Sequence, residues 1–436
     1  MITYLLILVA AVFLGSELLA IPTPLAQVTI YRLMVLGLFP LTAYHLAIDN
    51  QSLKIDRSSV ASFALLVFSF WWVWGFASMA WAINFKAWLQ TIFLLTLGVT
   101  VIWALYLYVN QLADWHRLLE AAWWMMTFLM VWGYFEIVTN HYFLADLHKL
   151  DTYGTFSSQP LTRMPITTFE NQNDYAVLLL AYLPVTISWS RLRQGGWIRL
   201  VAWMTSFLTV YLIYRTQSRM VTLSAFLFLL IYMLLQWQWD VSLKMVLSWL
   251  GRGLALMIGM IILVPALRQK IASLVYLGGV YDMSGDEVRL NLWRNGLLFL
   301  GQTFGLGVGA GNIETWMAEF GFLDTEVIVN MHNWWLEILV AYGAIVFIAY
   351  VLMYSLLIYK LWKLRWKVSD PLRAVNNSFV AFLIAFIFAS ITSANNMLIE
   401  WHWLIFALII SYLKLIEMQN QRPIQTFKPK KVSEYE

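Results

Sequence analysis

The chain has 436 residues, of which 61% are hydrophobic and only 12% are charged. Soluble domains carry about twice that share of charged residues, so the composition excludes a large water-soluble domain. The net charge of +4 does not indicate a nucleic-acid partner, and the absence of cysteine excludes disulfides and thiolate metal sites.

Apolar runs of about 18 to 22 residues recur from one end of the chain to the other, and each can cross a bilayer about 30 Å thick. They predict an all-α, polytopic transmembrane protein with about twelve spans. The polar stretch RTQSR at 215–219 must turn the chain, because a single helix over 198–237 would be about 60 Å long at about 1.5 Å per residue. The predicted spans lie near residues 2–20, 25–47, 59–81, 88–109, 118–138, 173–190, 198–214, 220–237, 245–264, 334–359, 376–393 and 399–416.

Lysine and arginine in the short loops set the predicted orientation. Lys54 and Arg57 share one loop, and a second basic cluster extends from 360 to 373. Cytoplasmic loops of membrane proteins are enriched in such residues, so these loops and both termini are predicted to be cytoplasmic. The predicted domains are a transmembrane helical domain, 1–416, and a polar cytoplasmic tail, 417–436, which is expected to be disordered.

Two long segments, 139–172 and 265–333, then lie on the outer side of the membrane. Loops of this length are usually functional or disordered. The segment 265–333, between spans nine and ten, contains apolar stretches such as LNLWRNGLLFL, so we expect it to form short helices that lie on the membrane. Near the outer ends of spans one and two, Glu17 and Arg32 are expected to form an ion pair.

Polar residues from distant parts of the chain fall on this outer side, and ionisable groups at membrane depth usually mark a site. Each group also has a structural explanation. The arginines of RTQSR can extend to lipid headgroups, and span six can take its N-cap from Asn173 or Asp174. His332 and Asn333 can cap span ten in the same way. The glycines of GLGVGAGN at 305–312 can permit tight turns, and they match neither a P-loop nor a dinucleotide-binding turn.

Five motifs follow one another along the outer side: NQND at 171–174, Ser-Arg at 218–219, R-L-x-L-W-x-x-G-L at 289–297, the glycine-rich motif at 305–312, and H-N-x-x-L-E at 332–337 with Gly343 six residues further on. In this order they resemble the O-antigen ligase/polymerase family of bacterial membrane glycosyltransferases. The resemblance is most specific over 285–345. Met220 departs from the pattern, because a small residue usually follows the Ser-Arg pair.

The resemblance implies transfer of a glycan from a polyprenyl diphosphate carrier to an acceptor hydroxyl at the outer face of the cytoplasmic membrane of a bacterium. The acceptor is a second lipid-linked repeat unit for a polymerase and lipid A-core for a ligase, and no residue separates these two activities. Carried over residue by residue, the family's arginines correspond to Arg219 and Arg289, and its histidine corresponds to His332. No cofactor, metal ion or nucleic acid is implied.

The residue types suit this chemistry. The planar guanidinium group of arginine binds phosphate oxygens in pairs, so Arg215 is predicted to join Arg219 and Arg289 at the diphosphate. Histidine is largely neutral at pH 7 and can take the proton of the attacking hydroxyl. Direct attack by that hydroxyl predicts inversion at the anomeric carbon.

Four further residues are predicted to bind substrate or to support the site: Asn333, Asn173, Asp174 and Glu337. Around an ideal helix Glu337 lies about 140° from His332, which makes it a poor direct partner. The alternative function is a flippase or secondary transporter of lipid-linked glycans. Transporters commonly contain internal repeats and charged residues deep in their spans, whereas here no repeat is visible and the polar residues gather at one surface.

Overall fold

The computed structural model describes residues 1–15, 20–21, 27–49, 59–144, 163–169, 171–193, 195–236, 248, 252, 285–392 and 399–421. Within these residues, helix is the only regular secondary structure, apart from an isolated antiparallel bridge between Ile21 and Val28. The predicted all-α fold is therefore confirmed for this part of the chain.

Thirteen α-helices occur in the described residues, with a short 3-10 helix, Ser78–Ala80, after the third. In chain order they are α1 (Ile2–Val12), α2 (Ile30–Asp49), α3 (Val60–Ala77), α4 (Phe85–Tyr108), α5 (Leu112–Thr139), α6 (Gln172–Arg193), α7 (Gly196–Arg215), α8 (Arg219–Gln236), α9 (Gly285–Gln302), α10 (Ile313–Phe320), α11 (Trp334–Leu364), α12 (Asp370–Ala389) and α13 (Glu400–Gln421).

Nine helices of the described part are long and apolar enough to cross a membrane, namely α3 to α8 and α11 to α13. Each corresponds to one predicted span. Spans one and two correspond to shorter apolar helices, Ile2–Val12 and Ile30–Tyr44. The predicted span 245–264 lies almost entirely outside the described residues. The chain turns at residues 216–218, between α7 and α8, as the length of 198–237 requires.

The helices differ in how much of their surface is covered by protein. Of the apolar window of α13, 94% is buried, and for α6 the share is 83%. The value for α7 and α8 is 22%. A helix that is apolar on all sides must be surrounded by protein or by lipid. We therefore place α6 and α13 in the interior of the bundle, and α7 and α8 at its periphery, where their apolar faces can contact lipid.

Charged residues in the second half of α13 tie the ends of several helices together. The Glu417 carboxylate accepts hydrogen bonds from the backbone N–H groups of Val60 and Ala61, at 3.2 and 3.3 Å, and pairs with Lys360 at 3.1 Å. A carboxylate at a helix N-terminus satisfies N–H groups that have no partner inside the helix. Lys414 binds the C-terminal end of a helix instead, because its ammonium group donates a hydrogen bond to the Tyr106 carbonyl at the end of α4, at 2.6 Å.

At the opposite end of the bundle, Arg32 of α2 pairs with Glu400, the first residue of α13, at 2.6 Å. Both side chains are nearly buried, so the pair ties the two helix ends together. Glu17, the partner expected for Arg32, lies outside the described residues. At its other end α13 continues to Gln421, a little beyond the predicted start of the tail at 417. Residues 422–436 lie outside the described part.

The described part of the outer segment 265–333 is helical, as expected. It contains α9, of 18 residues, and α10, of 8 residues, joined by the glycine-rich loop. Whether these helices lie on the membrane surface stays a prediction.

Candidate active site

The turn that precedes α11 shows which residue caps this helix. The Asn333 side-chain oxygen accepts hydrogen bonds from the backbone N–H groups of Trp335 and Leu336, at 3.1 and 3.3 Å. Asn333 alone is therefore the N-cap residue. His332 precedes it in the left-handed region, with φ of 48°. A residue without glycine's freedom adopts this conformation only where its surroundings hold it there. Its side chain is left available for another role.

The His332 imidazole lies between Arg289 of α9 and the backbone of Thr392, which follows α12. The pKa of His332 is lowered to about 4, first by burial and second by the positive charge of Arg289, while a hydrogen bond with the Thr392 backbone acts in the opposite direction. Nδ1 is buried and has no hydrogen-bond partner among the described residues, so we assign the contact with Thr392 to Nε2. The imidazole is therefore neutral at pH 7, and Nδ1 is its free proton acceptor.

Two asparagines and a tryptophan fix α9, and hence Arg289, against the segment that leads to His332. Asn295 is fully buried, donates to the Leu323 carbonyl at 2.9 Å and accepts from the Leu323 N–H at 2.9 Å. The Trp293 indole donates to the Met331 carbonyl at 3.2 Å. Asn291 donates to a carbonyl of the same segment at 2.9 Å. The sequence prediction missed these supporting residues, although Asn291 and Asn295 are spaced by one helical turn in an otherwise apolar stretch.

The glycine-rich loop docks into a break in α11. At Gly343 the helix backbone is non-helical, with φ of 83° and ψ of 176°, so carbonyls of the preceding turn are free to bind elsewhere. The N–H groups of Val308 and Gly309 donate to the carbonyls of Val340 and Ala341, at 2.8 and 3.0 Å. A Cβ atom at Gly343 would collide with the carbonyl oxygens of the loop. The loop conformation therefore requires glycine, and it holds the outer segment against the helix that His332 precedes.

Arg219 and Arg289 differ from most other arginines in their partners. Neither forms a hydrogen bond or an ion pair with any described residue, although Arg289 interacts electrostatically with His332. Arg117, Arg193 and Arg373 each pair with a carboxylate. A guanidinium group beside a neutral imidazole, as Arg289 is beside His332, suits an anionic ligand.

The packing of α8 against α12 gives the depth of Arg219. The Asn377 side chain of α12 donates to the Leu235 carbonyl of α8, at 3.2 Å. Leu235 lies near the end of α8 and Asn377 near the start of α12, so the two helices can pack along their lengths only if they are antiparallel. Arg219 lies 16 residues before Leu235, or about 24 Å along the axis, and Thr392 lies 15 residues after Asn377, or about 22 Å. Arg219 is thus exposed at nearly the same depth as Thr392 and His332.

Arg215, at the end of α7, lies on the same side but is engaged with protein. Its guanidinium donates to the Tyr211 hydroxyl at 3.2 Å and to the Arg163 carbonyl at 3.4 Å. Arg163 begins a described piece of the outer segment 139–172. Buried Glu136 of α5 anchors this piece by accepting backbone N–H groups of residues 166 and 167, at 2.8 to 3.1 Å. In this structure Arg215 supports the outer segment, and its part in diphosphate binding stays a prediction.

Asn173 and Asp174 lie in the first turn of α6, but neither caps it. The cap is Asn171, whose side-chain oxygen accepts from the N–H groups of Asn173 and Asp174, at 2.6 and 3.2 Å. The hydroxyl groups of Ser188 in α6 and Ser378 in α12 lie 3.2 Å apart. From this contact the first turn of α6 reaches the same end of the bundle as the other predicted site residues. Contact of Asn173 or Asp174 with a substrate stays a prediction.

Glu337 faces away from His332, as the sequence predicts. It is buried in the first turn of α11 and lines a cavity of about 170 Å³ between α4, α10 and α11. Glu314 of α10 lines the same cavity. The site thus has two parts of different charge, with His332 and Arg289 in one and two carboxylates in the other.

Comparisons with known proteins agree with the resemblance found in the sequence. A family model described as O-antigen ligase matches residues 204–351, which include His332 and the three arginines predicted at the site. The chain is also similar to the teichuronic acid biosynthesis protein TuaE of Bacillus subtilis (strain 168). The two are 26% identical over 427 residues, which cover 96% of this chain and 85% of the relative. Residues 204–351 are therefore similar to the family described as O-antigen ligase.

Proposed function

We propose that the protein is a glycosyltransferase of bacterial surface polysaccharide biosynthesis. It transfers a glycan from a polyprenyl diphosphate carrier to an acceptor hydroxyl at the outer face of the cytoplasmic membrane. The observation that carries the proposal is the neutral His332 imidazole, with an unpartnered Nδ1, beside the unpaired guanidinium of Arg289. A proton acceptor next to a free cation suits the deprotonation of an alcohol close to an anionic leaving group.

The donor headgroup carries about two negative charges, and Arg289 and Arg219 are the proposed ligands for them. They come from α9 and α8, so the diphosphate binds between the outer segment and the transmembrane bundle. The carrier lipid stays in the bilayer beside the exposed apolar face of α8. Because negative charge on the diphosphate grows as its bond to the sugar breaks, both arginines stabilise the transition state more than the bound donor.

In the proposed step, the acceptor oxygen attacks the anomeric carbon of the donor sugar and transfers its proton to Nδ1 of His332. A new carbon–oxygen bond forms, and the bond between the anomeric carbon and the phosphate oxygen breaks. The electron pair of that bond leaves with the diphosphate, which Arg289 and Arg219 hold. A single displacement of this kind inverts the anomeric configuration. The diphosphate is already a good leaving group, so the step is written without a metal ion.

Of the two activities in the family, we favour the polymerase, which joins lipid-linked repeat units. The similarity to the Bacillus subtilis relative covers nearly the whole chain, and the name of that relative refers to teichuronic acid rather than to O antigen. A product that lengthens on its lipid carrier would support the polymerase. Transfer of a finished chain to a different lipid would favour the ligase.

The central experiment compares His332→Ala with wild type in proteoliposomes that contain the lipid-linked glycan donor. Loss of the general base should lower turnover by about 10²–10⁴-fold. His116→Ala is the matched control, because His116 lies near the cytoplasmic end of α5, and this variant should keep wild-type turnover. Full activity of His332→Ala would refute the proposed base.

Arginine variants test the diphosphate site separately. Arg219→Lys and Arg289→Lys keep the charge but lose the paired N–H groups, so each should slow transfer by about 10²–10³-fold. Arg117→Lys, at an exposed cytoplasmic position, is the control. A transporter of lipid-linked glycans would give a different pattern, in which the donor crosses the bilayer without glycan transfer and His332→Ala has no effect.

A further inference from the structure

The helix α9 runs across the ends of α11 and α12 rather than along them. Near its start the Trp293 indole donates to the Met331 carbonyl, which is next to His332 in the chain. Just beyond its end the Gly305 carbonyl accepts a hydrogen bond from the Ala344 N–H, at 2.9 Å. From Trp293 to the end of α9 the helix is about 14 Å long. The two contacts are therefore well separated along the axis of α9.

These two contacts lie at nearly the same depth in the bundle. The Tyr354 hydroxyl of α11 donates to the Leu383 carbonyl of α12, which gives a common level for two consecutive, antiparallel helices. Ala344 precedes Tyr354 by ten residues, or about 15 Å. Thr392, which contacts His332, follows Leu383 by nine residues, or about 14 Å. The axis of α9 is therefore nearly perpendicular to the spanning helices, and both of its ends lie at the same end of the bundle.

Phe304 follows α9 in a backbone conformation that usually selects glycine. Its φ is 52°, and the N–H groups of Phe304 and Gly305 donate to the carbonyls of Gly301 and Leu300, at 3.1 and 2.9 Å. In a helix-ending turn of this kind, glycine is the usual residue in the left-handed conformation. Phe304 is nevertheless 94% exposed, so packing against the described protein does not explain its side chain. A bulky apolar residue that breaks a local rule without a packing gain indicates a role outside the fold.

Phe304 belongs to a continuous apolar surface. Its four exposed members, which we call the α9 apolar face, are Leu297, Leu298, Phe304 and Leu306. The hydrogen bond between Gly305 and Ala344 joins this face to the exposed side of α11, where Ile345 and Ile348 lie. Because α11 is long and apolar enough to cross a membrane, its exposed apolar side can contact lipid. The α9 apolar face therefore continues the lipid-facing surface of a spanning helix.

We propose that the α9 apolar face is immersed in the lipid leaflet at the His332 end of the bundle, where it contacts the acyl chains of membrane phospholipids. Phe304 anchors α9, which lies along the surface of that leaflet. On the same side of α9, nearer its start, Glu287 and Arg294 take the place of apolar residues and suit the headgroup region. The lipid contact thus helps to keep Arg289 at headgroup depth. It does not depend on glycan transfer.

Spin labels at single cysteines test this directly, because the chain has no cysteine of its own. In nanodiscs of phosphatidylglycerol and phosphatidylethanolamine, EPR power saturation measures how often a nitroxide collides with oxygen and with a polar nickel chelate. The ratio of oxygen to nickel collisions should be on the order of tenfold higher in Phe304→Cys than in Glu319→Cys, because hydrocarbon excludes the polar chelate. Glu319 is the matched control, since it is charged, exposed on α10 and outside the apolar face. Ile348→Cys, on a spanning helix, should give the value for lipid.

A measurement on the unlabelled cysteine removes any influence of the nitroxide ring. Alkylation by a charged maleimide should be on the order of tenfold slower in Phe304→Cys than in Glu319→Cys, because apolar surroundings disfavour the reactive thiolate. Equal alkylation rates, or a collision ratio at Phe304 that matches Glu319, would overturn the inference.

Shielding of the Phe304 label from both oxygen and the chelate would also overturn the inference. The face would then be covered by protein, either a second copy of the chain or a part of this chain outside the described residues. If Phe304→Cys fails to fold, Leu298→Cys on the same face provides the same two measurements with the same expected results.

Discussion

Replacing Arg289 by glutamine should raise the pKa of His332. The pKa is lowered from 6.5 to about 4, first by burial and second by the charge of Arg289. The whole difference corresponds to about 3.4 kcal/mol, because one pKa unit equals about 1.36 kcal/mol. For a separation on the order of 10 Å and an effective dielectric constant of about 20, the arginine charge contributes about 1.7 kcal/mol, or about one pKa unit. Arg289→Gln should therefore move the pKa of His332 upward by about one unit.

The assay need not depend on turnover. Diethylpyrocarbonate modifies only the neutral imidazole, so its rate of reaction at His332, followed by peptide mass spectrometry between pH 3.5 and 7.5, reports the pKa. The midpoint should lie near 4 in wild type and in Arg289→Lys, which keeps the charge. In Arg289→Gln it should lie about one unit higher. Wild type with a midpoint near 6.5, or Arg289→Gln with an unchanged midpoint, would refute this account of the site.

The same electrostatics predicts how the bound donor acts on the base. An anionic diphosphate beside Arg289 offsets the positive charge that lowers the pKa of His332. The acid limb of kcat/KM, which reports the free enzyme, should lie near pH 4, and the acid limb of kcat should lie at a higher pH. Coincident limbs would mean that the diphosphate does not bind next to Arg289.

Three further predictions concern stability and the supports of the site. Gly343→Ala should abolish transfer and lower the melting temperature, because its backbone has a positive φ and a Cβ atom would collide with carbonyl oxygens of the glycine-rich loop. The control is Gly301→Ala, which has open space around its Cβ and should change neither property. Asn295→Leu should lower the free energy of unfolding by about 2–4 kcal/mol, because it leaves the backbone N–H and C=O groups of Leu323 unpaired. The control is Gln302→Leu, at an exposed position. Equal melting temperatures of the two variants would contradict the supporting role of Asn295. His332 is neutral in the folded protein, so its contribution to stability is complete above pH 6.5 and falls by up to about 3.4 kcal/mol as the pH drops to about 4. His332→Gln should remove that part of the pH dependence of the free energy of unfolding. An unchanged pH dependence would count against the low pKa of His332.

Local features of the chain were predictable because they follow from local physics. The length of an apolar run fixes whether it can cross a bilayer, and this is why the nine long apolar helices of the described part match predicted spans. The turn between α7 and α8 follows from the same argument. Asn333 at the head of α11 has the residue type and position of an N-cap, which a sequence displays directly.

Pairings between distant residues were not predictable in the same way. Arg32 needs an anionic partner, and the nearest candidate in the sequence is Glu17. In the structure its partner is Glu400, which is 368 residues away in the chain. The cap of α6 is Asn171 rather than Asn173 or Asp174, because a change of one or two residues in a helix boundary lies within the uncertainty of a sequence pattern. The docking of the glycine-rich loop depends on a break in α11 that lies more than thirty residues later in the chain.

The distribution of charge in the site also required the fold. The sequence alone does not show how Arg289, Glu314, His332 and Glu337 divide between the faces of α11. In the structure α11 separates them, since His332 faces Arg289 and Thr392 while Glu337 faces α4 and α10. Had Glu337 faced His332, its negative charge would have raised the pKa of the imidazole and favoured the protonated form, which cannot accept a proton. The separation keeps the base neutral beside the cation.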